Sequence, residues 1–408
     1  MQLDERQIAY KALFAWLKKG TFLQNASLPP LALKMVLGVC RHHLHLEYII
    51  KKNVSKMPEL PVQIILEMGL YQLFFMDGIP DHAAVFTSAA LARWNRLSEG
   101  SVGLINGVLR QAKRNGLPDL PPQKVKRISI EYSVPEWIVR RWLDSYGATQ
   151  AEEMAKETIQ EPIQWIRINT NKTTLKKIRE TWDLHGEEYA NRYLEVDSNL
   201  QIKKLLESKE FAEGLFSFQN PAAYDVVSLL KVSSGMKVWD ACAAPGGKTS
   251  LMLEMNPSIS LVASDISEER VSKMSDLIER QKLDSVLFNV MDAANSTYNQ
   301  EFDRILLDVP CSNFGVLSRR PEVVYRTTPE SIETLAEKQF EILQGASKAL
   351  KKNGLLVYAT CSQERAETIA VIKRFLALNP DFALEGKPIC TGGIKGMDHF
   401  FAQALVRQ

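Results

Sequence analysis

At 408 residues the chain has room for two or three domains, each burying its own core. A composition of 45% hydrophobic and 24% charged residues excludes a disordered chain, and a net charge of only +2 excludes a whole-molecule pull on nucleic acid. Five cysteines (Cys40, Cys242, Cys311, Cys361, Cys390) form no C-x-x-C pair, so neither a zinc site nor a disulfide framework is expected.

The first residues, Met1-Gln2-Leu3-Asp4-Glu5-Arg6, have no basic region leading into an apolar one, so no signal peptide is expected. The longest apolar stretch, Ile64 to Ile79, is broken by Glu67 and Asp77 and is too short to span a bilayer. A cytoplasmic protein is the expectation. From Gln7 to about Gly116 the pattern predicts five short helices with tight joins, an all-α domain. Ile8, Ala12, Leu13, Trp16 and Leu17 share the first face; Leu33, Val36, Leu37 and Cys40 the second; Ile65, Met68 and Leu73 the third. Pro80-Asp81 opens a fourth helix, and Ser101 caps a fifth through Leu104, Ile105, Val108 and Leu109. His42, His43 and His45 lack a completing cysteine or carboxylate nearby and have the wrong spacing for one helix face, so no metal is expected. Lys51, Lys52, Lys113, Arg114, Lys124, Lys126 and Arg127 serve equally as phosphate contacts or as a solvated face.

Leu117 to Gln123 holds three prolines and marks a linker. Beyond it, Pro135-Glu-Trp-Ile-Val-Arg-Arg-Trp142 begins amphipathic helices, Trp165 to Asn169 is a strand, and residues 171–206 form a small α+β part. From Lys237 the rhythm is strand then helix, repeated. Strands are predicted at Lys237–Asp240, Ser260–Asp265, Ser285–Asn289, Arg304–Asp308, Gly354–Ala359 and His399–Val406. That alternation calls for a mostly parallel sheet with helices on both faces and a ligand beyond the carboxyl ends of the strands. The expected domains are 1–125, all-α; 126–210, linker helices and small α+β; and 211–408, a Rossmann-like α/β domain.

The first strand of that last domain runs into Val238-Trp-Asp-Ala-Cys-Ala-Ala-Pro-Gly-Gly-Lys-Thr-Ser250, a small-residue loop that turns helical. Glycine lets backbone approach a ligand closely, and the helix start offers unpaired N–H groups. A phosphate-binding Walker loop needs a glycine where this chain has Cys242. Asp265, Asp292 and Asp308 follow successive strands toward one rim; a carboxylate at 265 suits both ribose hydroxyls of an adenosyl group, and one at 292 its adenine amino group.

The Asp-x-Cys-Ala-Ala-Pro-Gly-Gly-Lys-Thr wording, with Pro310-Cys311-Ser312 and Thr360-Cys361-Ser362 at two later strand ends, resembles the RsmB/NOP family of RNA cytosine-5 methyltransferases. Glu67-Met-Gly-Leu-Tyr-Gln-Leu73, Ile79-Pro-Asp-His-Ala-Ala84 and Gly103-Leu-Ile-Asn-Gly-Val-Leu-Arg110 resemble the NusB-type RNA-binding domain fused to some members. The resemblance implies an RRM-like middle insert and a class I methyltransferase domain that uses S-adenosyl-L-methionine. It assigns cofactor contacts to Cys242, Ala243, Ala244, Pro245, Gly246, Gly247 and Lys248, with Asp265, Arg270, Asp292 and Asp308.

Carbon 5 of cytosine is too poor a nucleophile to take a methyl group until a thiolate adds at carbon 6, so the chemistry wants one attacking cysteine and a second group to assist release. By the resemblance Cys361 attacks and Cys311 helps resolve the adduct; in DNA cytosine methyltransferases the Pro-Cys cysteine attacks instead. Asp308 is expected to hydrogen-bond the cytosine edge, Lys248 to lower a thiolate pKa or orient the base, and Arg319-Arg320 to clamp phosphate. The implied substrate is a cytosine of small-subunit (16S) ribosomal RNA, flipped or single-stranded, met by a monomer. Transfer RNA, or a non-catalytic RNA-binding assembly role, are the alternatives. The chain departs from the family wording at Asn220 (usually Asp), at Asn313-Phe314-Gly315 (usually Gly-Thr-Gly or Ala-Thr-Gly) and at Arg365-Ala366-Glu367-Thr368 (usually Pro-Glu-Glu-Asn).

Overall fold

Apolar periodicity makes the described residues up to Thr158 predominantly helical. A computed structural model describes residues 4–21, 23, 28–196, 198–392 and 394–408; Met1–Leu3, where the reading of the N-terminus begins, lie outside them. Asp4 caps α1 (Glu5–Lys19) in a reciprocal box with Gln7. There follow α2 (Pro30–Arg41), α3 (His43–Asn53), α4 (Leu60–Phe74), α5 (Asp81–Trp94), α6 (Glu99–Asn115), α7 (Lys124–Glu131) and α8 (Glu136–Thr158). α4 is buried nearly all round, and the other early helices pack about it with stripes such as Ala9, Tyr10, Leu13 and Trp16.

Two expectations need correction here. Among the described residues six helices, not five, precede Gly116, because α2 stops at His42 (φ −110°, ψ 10°) without a glycine or proline to mark the break. Leu33 and Leu104 are 38% and 42% exposed, since the buried stripes run instead through Ala32, Met35 and Val36 and through Val102, Ile105 and Val108. One compact unit comprises residues 1–161 together with 317–326, a stretch carrying a 3-10 turn at Pro321–Tyr325. Arg127 ties α7 to α8 through Glu152 (2.7 Å), and Tyr325 donates to Cys40 O and Ser133 O (3.2 and 2.7 Å).

The second unit holds residues 162–316 and 327–408. Its small part is a four-stranded antiparallel sheet of β1 (Gln164–Ile168), β2 (Glu188–Tyr189), β3 (Tyr193–Val196) and β4 (Phe216–Phe218), in the order β2-β3-β1-β4. Helices α9 (Leu175–Trp182), α10 (Asn199–Leu206) and α11 (Lys209–Ala212) lie in its connections. Then α12 (Ala222–Ser228) leads into the large sheet: β5 (Lys237–Asp240), β6 (Ser260–Asp265), β7 (Val286–Val290), β8 (Phe302–Asp308), β9 (Leu350–Thr360), β10 (Phe382–Cys390) and β11 (Phe401–Arg407). Between these come α13 (Gly247–Met255), α14 (Glu268–Arg280), α15 (Pro329–Ser347) and α16 (Ile369–Leu378).

The order is β10-β11-β9-β8-β5-β6-β7, parallel from β7 through β9, with β11 antiparallel to both its neighbours. This is the Rossmann-like α/β domain expected, with two apolar cores lining opposite faces of the sheet. β10 had no sequence signal. It is an edge strand carrying Gly386 and Pro388, residues that interior strands avoid.

Candidate active site

The chain runs from β5 outward to β6 and β7 and then returns to β8 on the other side of β5. That reversal opens a crevice beyond the carboxyl ends of β5 and β8, where α/β sheets bind ligands. Asp240, Asp265 and Asp308 end β5, β6 and β8, and Cys361 follows the last residue of β9.

The loop after β5 is shaped for close approach. Gly246 has φ +98°, and a Cβ there would stand 2.7 Å from Met274 Cγ, so only glycine fits. Gly247 starts α13 with no side chain capping its N-terminus. Arg270 fastens the rim: its Nη2 donates to Ala244 O (3.0 Å), and its Nη1 lies 3.3 Å from Asp265 Oδ1. Asp240 is buried; Thr249 Oγ1 donates to its Oδ2 at 2.7 Å, while its Oδ1 has no partner among the described residues. Burial raises the Asp240 carboxyl to about 7 against the opposing pull of the Thr249 hydrogen bond.

Burial, then the charges of Asp240, Asp265 and Asp308, push the Cys242 thiol well up. Three carboxylates around one small-residue loop, one with an orphaned oxygen, fit a ligand that brings positive charge and donor groups. S-adenosylmethionine is such a ligand, having a sulfonium, an ammonium and a ribose. Asp292 is less free than expected: it caps the 3-10 turn Ala293–Asn295 and receives Asn295 Nδ2 (2.9 Å), with Lys338 Nζ at 3.5 Å.

On the β8–β9 side, Cys311 Sγ and Cys361 Sγ lie 3.1 Å apart. The two loops meet because β8 and β9 are parallel neighbours, with Asp308 opposite Ala359. Cys311 is nearly buried; its hydrogen bond with Cys361, followed by burial, raises its pKa and keeps it a thiol at neutral pH. Lys248 Nζ contacts Asp308 Oδ2 at 2.6 Å and stands 4.5 Å from the Phe400 ring centre. Burial by itself would lower the amine, but the charge and hydrogen bond of Asp308, with a contribution from Cys361, hold Lys248 above the usual lysine range. A fixed ammonium thus stands near a thiol that must ionise to act.

Two residues named above only as departures, Asn313 and Asn220, make specific side-chain contacts. Asn313 sits at φ +63°, a region that tolerates asparagine after glycine, which is why it can replace the family's glycine. Its Oδ1 accepts from Cys361 Sγ (3.2 Å), and its Nδ2 donates to Cys311 O (2.9 Å). Gly315 cannot change: a Cβ would fall 1.9 Å from His399 O. Asn220 accepts from Ala222 N and Asp398 N and donates to Gly396 O (2.9 Å), a bond that aspartate lacks the proton to make. We expect Asn313→Gly to keep the melting temperature and to lower the turnover rate by about tenfold, the scale of one hydrogen bond. Asn313→Ala adds about 1–2 kcal/mol of destabilisation from its left-handed backbone. Unchanged rates in both, measured with thermal melts alongside, would remove Asn313 from the site.

Sequence reasoning missed Arg167 altogether. This fully buried guanidinium on β1 reaches the cofactor-loop helix, donating to Glu254 (3.0 and 2.7 Å), Ser250 Oγ (2.8 Å) and Gly247 O (2.8 Å), and also to Gln219. A lone arginine in a strand pattern carries no signal of such a role.

Arg319 and Arg320 belong to the 317–326 stretch counted with the helical unit, and Arg320 is exposed. Lys51, Lys113 and Arg127 are each paired with a carboxylate, which favours the solvated-face reading for those three. His42 stacks on Phe75 at 4.2 Å. His43, Glu47 and Glu67 approach closely enough to share a cation, a grouping hidden from sequence because Glu67 comes from α4. Its polar atoms already satisfy one another: His43 Nδ1 meets Glu67 at 3.0 Å, and Gln63 Nε2 donates to both carboxylates. Among the described residues no helix is long and apolar enough to cross a membrane.

Comparison with known proteins agrees with this geometry. A family model described as 16S rRNA methyltransferase RsmB/F matches residues 227–401, a NusB family model matches 3–114, and an RsmF/B-like ferredoxin-like domain matches 134–196. The Bacillus subtilis protein named "Probable ribosomal RNA small subunit methyltransferase B" is 34% identical over 86% of this chain and 80% of its own length. The Klebsiella pneumoniae ribosomal RNA small subunit methyltransferase B is 31% identical over 100% of this chain and 99% of its own. Among solved structures, PH0851 superposes with a TM-score of 0.78 at 20% identity over 100% of both chains. NSun6 from Pyrococcus horikoshii, solved with SFG, superposes with a TM-score of 0.57 at 20% identity, covering 67% of this chain and 98% of its own; both structures bear on the fold. A full-length relative above 30% identity, the three matched domains and a crevice with cofactor-loop geometry settle the kinship: this chain belongs to the RsmB/F family of S-adenosylmethionine-dependent RNA methyltransferases.

Proposed function

We propose that the protein methylates carbon 5 of a cytosine in small-subunit ribosomal RNA through a covalent adduct to Cys361. The observation that carries this reading is the pair of thiols 3.1 Å apart at adjoining strand ends, beside the Lys248–Asp308 ion pair. A methyltransferase acting on an already nucleophilic nitrogen or oxygen needs neither sulfur. The names of the relatives supply the RNA.

S-adenosylmethionine, held by Cys242–Lys248 with Asp265 and Asp308, supplies an electrophilic methyl group when bound. The residues of the chain do the rest. Cys361 as thiolate adds to carbon 6, turning the ring into an enamine whose carbon 5 becomes nucleophilic. Lys248 steadies the thiolate by charge, and Asp308 faces the edge of the base. Once carbon 5 has bonded to the methyl carbon, with the bond from that carbon to the donor's sulfur broken and the donor leaving as its neutral thioether, the carbon-5 proton passes to a base, the carbon 5–carbon 6 double bond re-forms and Cys361 is expelled as thiolate. Cys311, a neutral thiol in contact with Cys361, assists that release. Asp292 meets the adenine amino group through whatever capacity its cap leaves, and Arg320 meets phosphate. The domain boundaries that suit this division of labour are 161/162 and about 210, with 317–326 returned to the helical part.

Incubating the protein with methyl-labelled cofactor and ribosomal RNA from a strain lacking the family member tests the proposal. Label is expected at 5-methylcytosine in the 16S fraction after nuclease digestion. Label in transfer RNA alone, or at another base, sinks it.

A further inference from the structure

We infer that Glu367 is the positioning residue that sets the distance between the two site cysteines. It lies in the 3-10 turn Arg365–Glu367, beyond the Thr-Cys strand, and is completely buried. Its Oε1 accepts from Ser312 N (2.8 Å) and Gln339 Nε2 (3.0 Å); its Oε2 accepts from Ser312 Oγ and Ser362 Oγ (both 2.5 Å). Ser312 and Ser362 are the residues immediately after Cys311 and Cys361, and their hydroxyls also touch each other at 3.0 Å. One carboxylate therefore grips the same point on both cysteine loops.

The grip is braced from outside. Gln339 on α15 also donates to Pro310 O (2.9 Å), the carbonyl just before Cys311. Tyr358 on β9 donates to Glu367 O (2.7 Å) and meets Gln339 Oε1 (3.1 Å).

An ionised carboxylate only accepts, with about four sites, and here four donors fill them. Alternatives fail by chemistry. A glutamine would turn an N–H toward the Ser312 N–H or toward hydroxyls that now donate, and an alanine would remove the acceptor of all four donors in a dry site. The inference rests on the proposed roles of the thiols, since it assigns Glu367 no contact with substrate. It acts through Ser312 and Ser362 on where Cys311 and Cys361 point.

The test compares wild type, Glu367→Gln and the double variant Ser312→Ala/Ser362→Ala by three readouts. The first is kcat and KM for methyl transfer. kcat is expected to fall by about 100-fold, the cost of displacing reacting groups by about an ångström, with KM for RNA and cofactor affinity within about twofold of wild type. The second is the triple variant, in which Glu367→Gln adds little to the serine changes because both cut the same link. The third needs no methyl transfer: the rate at which mild oxidation with diamide joins Cys311 to Cys361, followed by mass spectrometry, is expected to drop by at least about tenfold in both variants relative to wild type. If Glu367→Gln does not fold, the serine double variant carries the test.

An unchanged kcat together with an unchanged cross-linking rate overturns the inference, as does loss of cofactor affinity in step with activity. Should wild type methylate no cytosine, the proposed function fails, while the cross-linking rate still decides whether Glu367 sets the thiol separation.

Discussion

Cys361→Ala is expected to abolish methyl transfer, by more than about 10⁴-fold, the scale on which losing a covalent nucleophile acts. Cys311→Ala is expected instead to trap protein on RNA as a species that survives denaturing electrophoresis. The asymmetry follows from the surroundings of the two sulfurs. Cys361 is the more exposed and stands in the field of the Lys248 ammonium, so it is the sulfur better placed to meet a base in the crevice. Cys311 is nearly buried and held as a thiol, in place to serve its neighbour but poorly placed to attack. Denaturing gels with labelled RNA and each single variant decide the matter. Trapping by Cys361→Ala and inertness of Cys311→Ala would reverse the roles, and trapping by neither would exclude a cysteine adduct.

Arg167→Met is expected to be the most destabilising single change in the second unit. The guanidinium is fully buried against the equally buried Glu254, so its loss strands a carboxylate in a low-dielectric interior, with only Arg192 at 3.4 Å for company. Breaking a buried pair in this way costs about 3–5 kcal/mol, whereas replacing both partners by apolar groups is close to neutral. Arg167→Met/Glu254→Leu is therefore expected to regain most of the stability by urea denaturation. It should still not regain cofactor affinity, because Gly247 O and Ser250 Oγ lose the donor that seats the start of α13. A drop of about tenfold in affinity by calorimetry is expected in both variants. A single variant within about 1 kcal/mol of wild type, or a double variant that binds cofactor normally, would contradict this account of the arginine.

The departures at Asn313 and Arg365–Thr368 show where linear reading stops. Both stretches are visible as unusual wording, yet nothing in the wording says that Asn313 touches the sulfur of a residue 48 positions on, or that Glu367 reaches back 55 to Ser312. The helical part fails in a different way. α3 was hidden because an ordinary histidine ends α2, and Leu33 and Leu104 were assigned to buried faces because spacings of three and four fit two neighbouring stripes almost equally well.

What the sequence determined by itself was whatever depends on neighbours along the chain. That covers the alternating strands and helices, the small-residue loop that only glycine can turn, the aspartates at strand ends and a cysteine after each of two strands. Backbone torsion and hydrophobic period act over a few residues, so they leave a local record. The tertiary structure alone decided what meets across the fold: the 3.1 Å sulfur pair, the arginine under the cofactor loop and the carboxylate shared by two serines. These are polar contacts in a dry interior between residues far apart in sequence. Their strength comes from the exclusion of water, which exists only once the sheet has closed around them.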